Sequence, residues 1–203
     1  CDTYYYTLAN EMGVDLIHDQ MEPLGFGRKT GIDLEGESTG TLPSTTWKRK
    51  AYRRPEQQRW YAGETISLGI GQGYNSFTML QIASAMATVA SGGQRHEPRL
   101  VHTMVDPITR QETPVPRHSL DPLPLKPEDV AVILDAMNGV TLTGTSSRVF
   151  AGAPYTSGGK TGTAQAAGKR KGEKYNAATT PERLRDHSLY VAFAPLDNPQ
   201  IAL

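Results

Sequence analysis

The sequence predicts an α+β fold, an antiparallel sheet flanked by helices. Three observations carry that reading. The segments "TMLQIASAMATVASGG" and "PEDVAVILDAMNGV" repeat apolar residues at spacings of three and four, as helices do. The chain then turns β-rich, with "GGKTGTAQ", "HSLYVAFAP" and "QIAL" as strand candidates. The last two are separated by a short "LDNP" turn, which favours antiparallel pairing. Helices followed by adjacent strands argue for α+β over a doubly wound sheet.

Taken in order, "CDTYYYTLANEMG" reads as a helix that Asp2 or Thr3 can cap. Tyr5, Leu8, Ala9 and Met12 fall at helical spacing, and Gly13 can end it. A second short helix is expected from Val14 to Leu24. Thr30 to Pro55 is rich in Gly, Pro, Ser and Thr and reads as loop. Lys48 to Arg59 then carries six basic residues against one Glu, the pattern of a solvated face. The helix over Thr78 to Gly93 turns Met79, Ile82, Ala83, Met86 and Ala90 to one side, and Gly92-Gly93 supplies a left-handed stop. "PRLVHTMVD" alternates like a strand. Pro107 to Pro127 holds six prolines and reads as an excursion. Pro127, Glu128 and Asp129 open the next helix, with Val130, Ile133, Leu134 and Met137 inward. A polar, basic inter-strand linker, expected to be flexible, covers residues 166–186, within a single domain over 1–203.

Composition excludes several classes. With 21 Lys+Arg against 21 Asp+Glu, no whole-chain field points to nucleic acid. No run approaches the length of a membrane span. The one Cys excludes an internal disulfide. The chain opens on Cys rather than Met and stops within a strand candidate, so it is expected to be a piece of a longer protein, incomplete at both ends.

"SGGKTGTAQ", Ser157 to Gln165, allows two incompatible chemistries. A phosphate-cradling loop needs G-x-x-x-x-G-K-[ST]. Five residues before Gly159 stands Pro154, which has no N–H to give. The residues that follow show no apolar helical face, so that reading fails. "GIGQGY", Gly69 to Tyr74, lacks the third glycine of a dinucleotide fingerprint and reads as a site of close backbone packing. The alternative is the K-T-G strand of serine acyl-transfer enzymes. There a Lys lends positive charge to a proton relay, Thr hydroxyls grip a carboxylate, and a strand-edge N–H serves an oxyanion. The only S-x-x-K is "SGGK". In a strand, Ser157 and Lys160 point to opposite faces, so Ser157 reads as a strand-entry residue. "SLD", Ser119 to Asp121, reads as a turn.

A Ser before Cys1 would make the opening S-C-D, a polar triad entering a helix. With that, six stretches in order resemble the C-terminal part of a penicillin-binding transpeptidase domain. They are "CDTYYYTLANEMG", "TGIDLEGE", "GETISLGIGQGY", "MLQIASAMATVASGG", "GGKTGTAQ" and "KYNAATTPERLRDHSLYVAFAP". Within that family the chain is similar to the elongation-specific penicillin-binding protein 2 group of Gram-negative bacteria. The resemblance implies a penicillin-binding transpeptidase or serine β-lactamase-like fold.

The resemblance implies roles as well. Lys160, Thr161, Gly162 and Thr163 would line the active site. Thr161 and Thr163 would hold a carboxylate of the peptide or of a β-lactam, and the Thr163 backbone N–H would serve the oxyanion hole. Asp2 would close an S-x-D version of the S-x-N motif, although a plain helix N-cap is the simpler reading of that residue. The nucleophilic Ser with its Lys, and the first Ser of S-x-D, are absent from these residues, so this piece alone is expected to be inactive. The parent would be a serine-type D,D-transpeptidase acting on D-Ala–D-Ala stem peptides and acylated by β-lactams. It would sit in the cell inner membrane with this domain in the periplasm, alongside a membrane glycosyltransferase and other elongation proteins. No cofactor is expected for acyl transfer. Cys1 is a candidate ligand for a structural zinc whose other ligands would lie outside this chain; a lone buried thiol is the alternative. Arg183, Arg185, Asp186 and His187 form a candidate ion-pair cluster fastening the linker to the sheet.

Two competing functions stay open at this point. One is a penicillin-recognising sensor that is acylated without turnover. The other is a noncatalytic interaction domain, against which the intact K-T-G-T argues.

Overall fold

The first helix, α1 (Asp2–Met21), is bent at Gly13, whose φ of 74° and ψ of 159° interrupt the helical run; glycine adopts such a backbone without steric cost. This computed structural model describes residues 1–166 and 176–203. Cys1 is the N-cap of α1 and gives no side-chain cap bond, so Asp2 is a first-turn residue rather than the cap. Its carboxylate there still complements the helix dipole. A 3-10 turn, Glu22–Leu24, continues the chain.

The loop expected before Pro55 is partly helical. Ser44 accepts from the Trp47 N–H at 2.9 Å and opens α2 (Thr45–Ala51). Short α3 (Pro55–Gln58) and α4 (Ala62–Leu68) follow. The basic run is not a uniformly solvated face either. Lys48 is only 3% exposed, because α2 turns it towards α4 and the carboxylate of Glu64. Helix α4 packs on α1 so closely that a Cβ at Gly69 would meet the Tyr5 carbonyl at 2.5 Å, as the close-packing reading of "GIGQGY" requires.

Helix α5 (Met79–Ala90) is closed by a capping box. The Thr78 hydroxyl accepts from the Gln81 N–H at 3.1 Å, and the Gln81 side chain accepts from the Thr78 N–H at 2.9 Å. Met79 is exposed rather than inward, being the first residue of the helix, whereas Met86 and Ala90 are buried. Gly92 and Gly93 take the expected left-handed backbone.

The proline-rich excursion is tied back by two small antiparallel pairs. Strand β1 (Arg95–His96) pairs with β4 (Ser119–Leu120), and β2 (Thr103–Val105) pairs with β3 (Glu112–Pro114). "SLD" therefore enters a short strand, not a turn. Helix α6 (Pro127–Leu142) buries Val130 but leaves Ile133 largely exposed, a difference from the sequence reading. A single turn, α7 (Ser147–Phe150), leads to the main sheet.

That sheet has the order β5-β6-β7 and is antiparallel throughout: β5 (Gly158–Ala164), β6 (His187–Ala194) and β7 (Ile201–Ala202). Phe193, Met86 and Ala90 form its buried core, with Leu134, Met137, Val191 and Leu196 around them, so α5 and α6 cover one face. A second cluster of Phe26, Leu42 and Ala85 joins the N-terminal helices to α5. Of the inter-strand linker, residues 167–175 lie outside the described residues. Residues 176–180 form a turn in which Asn176 O accepts from the Thr180 N–H at 3.0 Å, and a 3-10 turn, Glu182–Leu184, leads into β6. Among the described residues no helix is long and apolar enough to cross a membrane.

Candidate active site

Strand β5 is an edge strand, and the ladder fixes which of its backbone groups face outward. Ala192 of β6 exchanges both backbone bonds with Leu203, at 3.2 and 2.9 Å, and so points towards the β7 side. Its partner on β5 is Gly159. In an antiparallel pair, a residue's N–H and C=O point to the same side, and the side alternates along the strand. Gly159, Thr161 and Thr163 therefore direct both groups to the open edge, while Lys160 and Gly162 bond to β6.

Two side-chain donors corroborate this. Lys160 Nζ donates to the Thr161 carbonyl at 2.7 Å, and Gln72 Nε2 donates to the Thr163 carbonyl at 3.5 Å. The N–H of Thr163 thus lies on the edge, as an oxyanion donor would. By strand alternation, the Thr161 and Thr163 side chains share the face opposite α6. There the Thr161 and Thr145 hydroxyls lie 3.3 Å apart. The same face carries Tyr190, whose hydroxyl bonds to Ser146 at 2.9 Å and whose ring stacks on Phe150 at 6.1 Å.

The two glycines before Lys160 let this strand approach its neighbours. A Cβ at Gly158 would meet Phe193 Cζ at 2.5 Å and Met137 Cβ at 3.2 Å, and one at Gly159 would meet Tyr190 Cζ at 2.6 Å. Ser157 is buried at the strand entry, and its carbonyl accepts from the Thr141 hydroxyl at 2.8 Å. That position supports a packing role.

Lys160, Thr161, Gly162 and Thr163 are thus brought together on one edge. Asp2 is exposed in the first turn of α1. Cys1 is an exposed free thiol, not the buried one offered as an alternative. Among the described residues no group of three or more His, Cys, Asp or Glu is placed to hold a metal ion. These residues therefore lend no support to a zinc centre at Cys1. In the linker cluster, Arg185 Nε donates to the Thr180 carbonyl at 3.0 Å, fastening the turn before β6.

Gln72 and Thr145 went unrecognised in the sequence. Gln72 carried a faint signal, a polar side chain held between two glycines in "GQG". Thr145 carried none beyond its place in a Thr/Ser-rich loop. Both reach the strand only through tertiary packing.

The family described as the penicillin binding protein transpeptidase domain matches residues 1–203. A peptidoglycan D,D-transpeptidase, MrdA, of Acinetobacter baumannii is 40% identical over 205 residues, covering 100% of this chain and 29% of that protein. The chain thus spans under a third of the length of that relative. Among solved structures, Pseudomonas aeruginosa PBP2 in complex with WCK 5153 has a TM-score of 0.75 at 36% identity, over 99% of this chain and 40% of that one. Helicobacter pylori PBP2 in its complex with MreC has a TM-score of 0.75 at 27% identity, over 99% and 33%. With the edge strand, its Lys-Thr-Gly-Thr run and a match along its full length, the chain belongs to the penicillin-binding protein transpeptidase domain family.

Proposed function

We propose that this chain is the C-terminal part of the catalytic domain of a peptidoglycan D,D-transpeptidase that works through a serine acyl-enzyme. The observation that carries this reading is the open edge of β5, where Thr163 offers a backbone N–H beside the Lys160 ammonium and the Thr161 hydroxyl. A serine from the upstream part of the domain attacks the D-Ala–D-Ala carbonyl. The resulting oxyanion accepts from the Thr163 N–H, a donor fixed by the ladder before the reaction begins. The C–N bond then breaks, D-Ala leaves with a proton on its amine, and an amine of a neighbouring strand takes the acyl group. Thr161, Gly162 and Thr163 form the wall that receives the substrate carboxylate. Lys160 supplies positive charge near the proton relay, and Asp2 belongs to the polar motif at the start of α1. The β-lactams enter as analogues of the same peptide.

We assign the parent to the inner membrane with this domain in the periplasm, with a membrane glycosyltransferase and elongation proteins as partners. The family resemblance supports that assignment, and the solved PBP2–MreC complex is a precedent for such partnering. Zinc is not part of the proposal. The test is the intact mass of the full-length protein before and after incubation with a penicillin, followed by release of D-Ala from a stem-peptide substrate. One covalent adduct with D-Ala release supports the transpeptidase. An adduct without any turnover of peptide would favour the penicillin sensor, and no adduct at all would reject both.

A further inference from the structure

Two of the three outward carbonyls on β5 are already occupied, Thr161 by the Lys160 ammonium and Thr163 by the Gln72 amide. Gln72 comes from the loop after α4, 91 residues away in sequence. A glutamine side chain ends in a primary amide, so it presents to the strand the same N–H that an extended peptide laid along this edge would present. The loop itself is anchored. The Gln72 N–H donates to Ser67 O at 3.0 Å, and Tyr74 donates its hydroxyl to Glu64 at 2.9 Å. The amide contact is looser. At 3.5 Å and exposed, it lies beyond the usual range of N–H···O bonds, so exchange for a better-placed donor sacrifices little. Gln72 is therefore held beside the edge without being locked to it.

Resting on the transpeptidase reading, we propose that Gln72 is a displaceable occupant of the ligand's place on β5. Its side-chain amide fills the Thr163 carbonyl until the amide N–H of an acyl-amide ligand replaces it. Gln72 then determines specificity, because it competes with ligands that need this carbonyl and not with ligands that lack an amide N–H. The alternative role, bracing the strand for all ligands alike, predicts that both rates fall while their ratio stays unchanged.

The test uses the full-length protein and two β-lactams, a penicillin with an acylamido side chain and a carbapenem whose hydroxyethyl side chain has no amide N–H. The readout is the ratio of their second-order acylation rate constants. This ratio is insensitive to any general loss of folded protein. Gln72→Met keeps the length without the donor, and Gln72→Asn keeps the donor but shortens its reach. Both variants are expected to raise the penicillin-to-carbapenem ratio by about twofold, the low end of what one net hydrogen bond spans, because the bond removed is a long one. A ratio that stays constant or falls in both variants overturns the displaceable occupant. If the wild-type protein is acylated by neither compound, the transpeptidase reading fails and this inference with it. Acylation with an unmoved ratio sinks the inference alone.

Discussion

Lys48 and Glu64 form an ion pair inside a ring of aromatic side chains. The ammonium donates to both carboxylate oxygens, the Oε2 contact being 2.6 Å, and also to the Arg59 carbonyl at 2.8 Å. The rings of Trp60, Tyr61 and Tyr74 lie 5.4 to 5.5 Å from it. Glu64 also accepts from the Tyr61 N–H and the Tyr74 hydroxyl, each at 2.9 Å. Glu64→Gln leaves a buried ammonium without its anion and is expected to destabilise the domain by about 3 kcal/mol. The double variant Lys48→Met/Glu64→Gln removes the stranded charge, and the new amide oxygen can still accept from Tyr61 or Tyr74. It should melt above the single Glu64→Gln variant. Thermal denaturation of both checks this, and a double variant less stable than the single would contradict the account.

The same pair gives a pH dependence of defined sign. Burial pushes the Glu64 carboxyl up, but the bonds from Lys48, the Tyr61 N–H and Tyr74 outweigh it, and its pKa falls below the ordinary 4.5. A folded-state pKa below the unfolded one stabilises the protein above the unfolded value. That contribution is complete above about pH 4.5 and is lost as the pH falls through the depressed folded value. Between neutrality and pH 3 the Glu64→Gln variant should therefore lose less stability than wild type. Tyr74 shifts the other way, its hydroxyl pushed up by burial and by the adjacent carboxylate. Chemical denaturation at a series of pH values reads the slope, and parallel slopes for the two proteins would rule out Glu64 as its source.

Gly158 and Gly159 make unequal demands. A methyl at 158 enters the Phe193 ring, which is 1% exposed and has nowhere to go. A methyl at 159 meets Tyr190, which is 38% exposed and can swing outward once its bond to Ser146 breaks. Gly158→Ala is expected to destabilise by about 1–3 kcal/mol as an overpacked core, and Gly159→Ala by less. Equal melting temperatures for the two variants would show that the sheet shifts as a unit instead.

What the sequence made legible divides along physical lines. Helices α5 and α6 and strand β6 were legible through their apolar patterning, because each sets such residues against the core, whereas β5, with no large apolar side chain, was legible through its K-T-G run. The K-T-G-T edge was legible because Pro154 removed the nucleotide reading and strand alternation removed Ser157. Helix α2 was missed, since its seven residues carry no apolar period and its only local signal is the Ser44 cap. Lys48 was misread for a related reason. A basic run looks solvated until a carboxylate 16 residues away, on another helix, takes one member of it inward. The threonine and glutamine of "TMLQ" held a readable capping box, yet its second task was not readable. Gln81 is 1% exposed and donates to the carbonyls of Arg28 and Thr39 at 2.7 and 2.8 Å, which only the tertiary fold brings to it. Gln72 and Thr145 belong with it, as residues whose contacts arise where distant segments meet.

Substitutions at Thr163 separate backbone from side chain at the proposed oxyanion donor. Thr163 directs its N–H to the open edge, whereas Gly162 gives its own to the ladder opposite Leu189. Proline at an edge position whose N–H faces outward is compatible with a sheet, but proline at a laddered position removes a bond. Thr163→Pro should therefore leave the domain folded while lowering the penicillin acylation rate about 10²- to 10³-fold, the loss expected for one oxyanion donor. Thr163→Ala keeps the N–H and loses only the hydroxyl and the γ-methyl, so its rate should fall far less. Gly162→Pro should instead lower the melting temperature, because it breaks the β5–β6 ladder. If Thr163→Pro and Thr163→Ala acylate at the same reduced rate, the hydroxyl carries the effect and the N–H has no oxyanion to serve. If Thr163→Pro unfolds as readily as Gly162→Pro, the outward assignment of the Thr163 backbone is wrong.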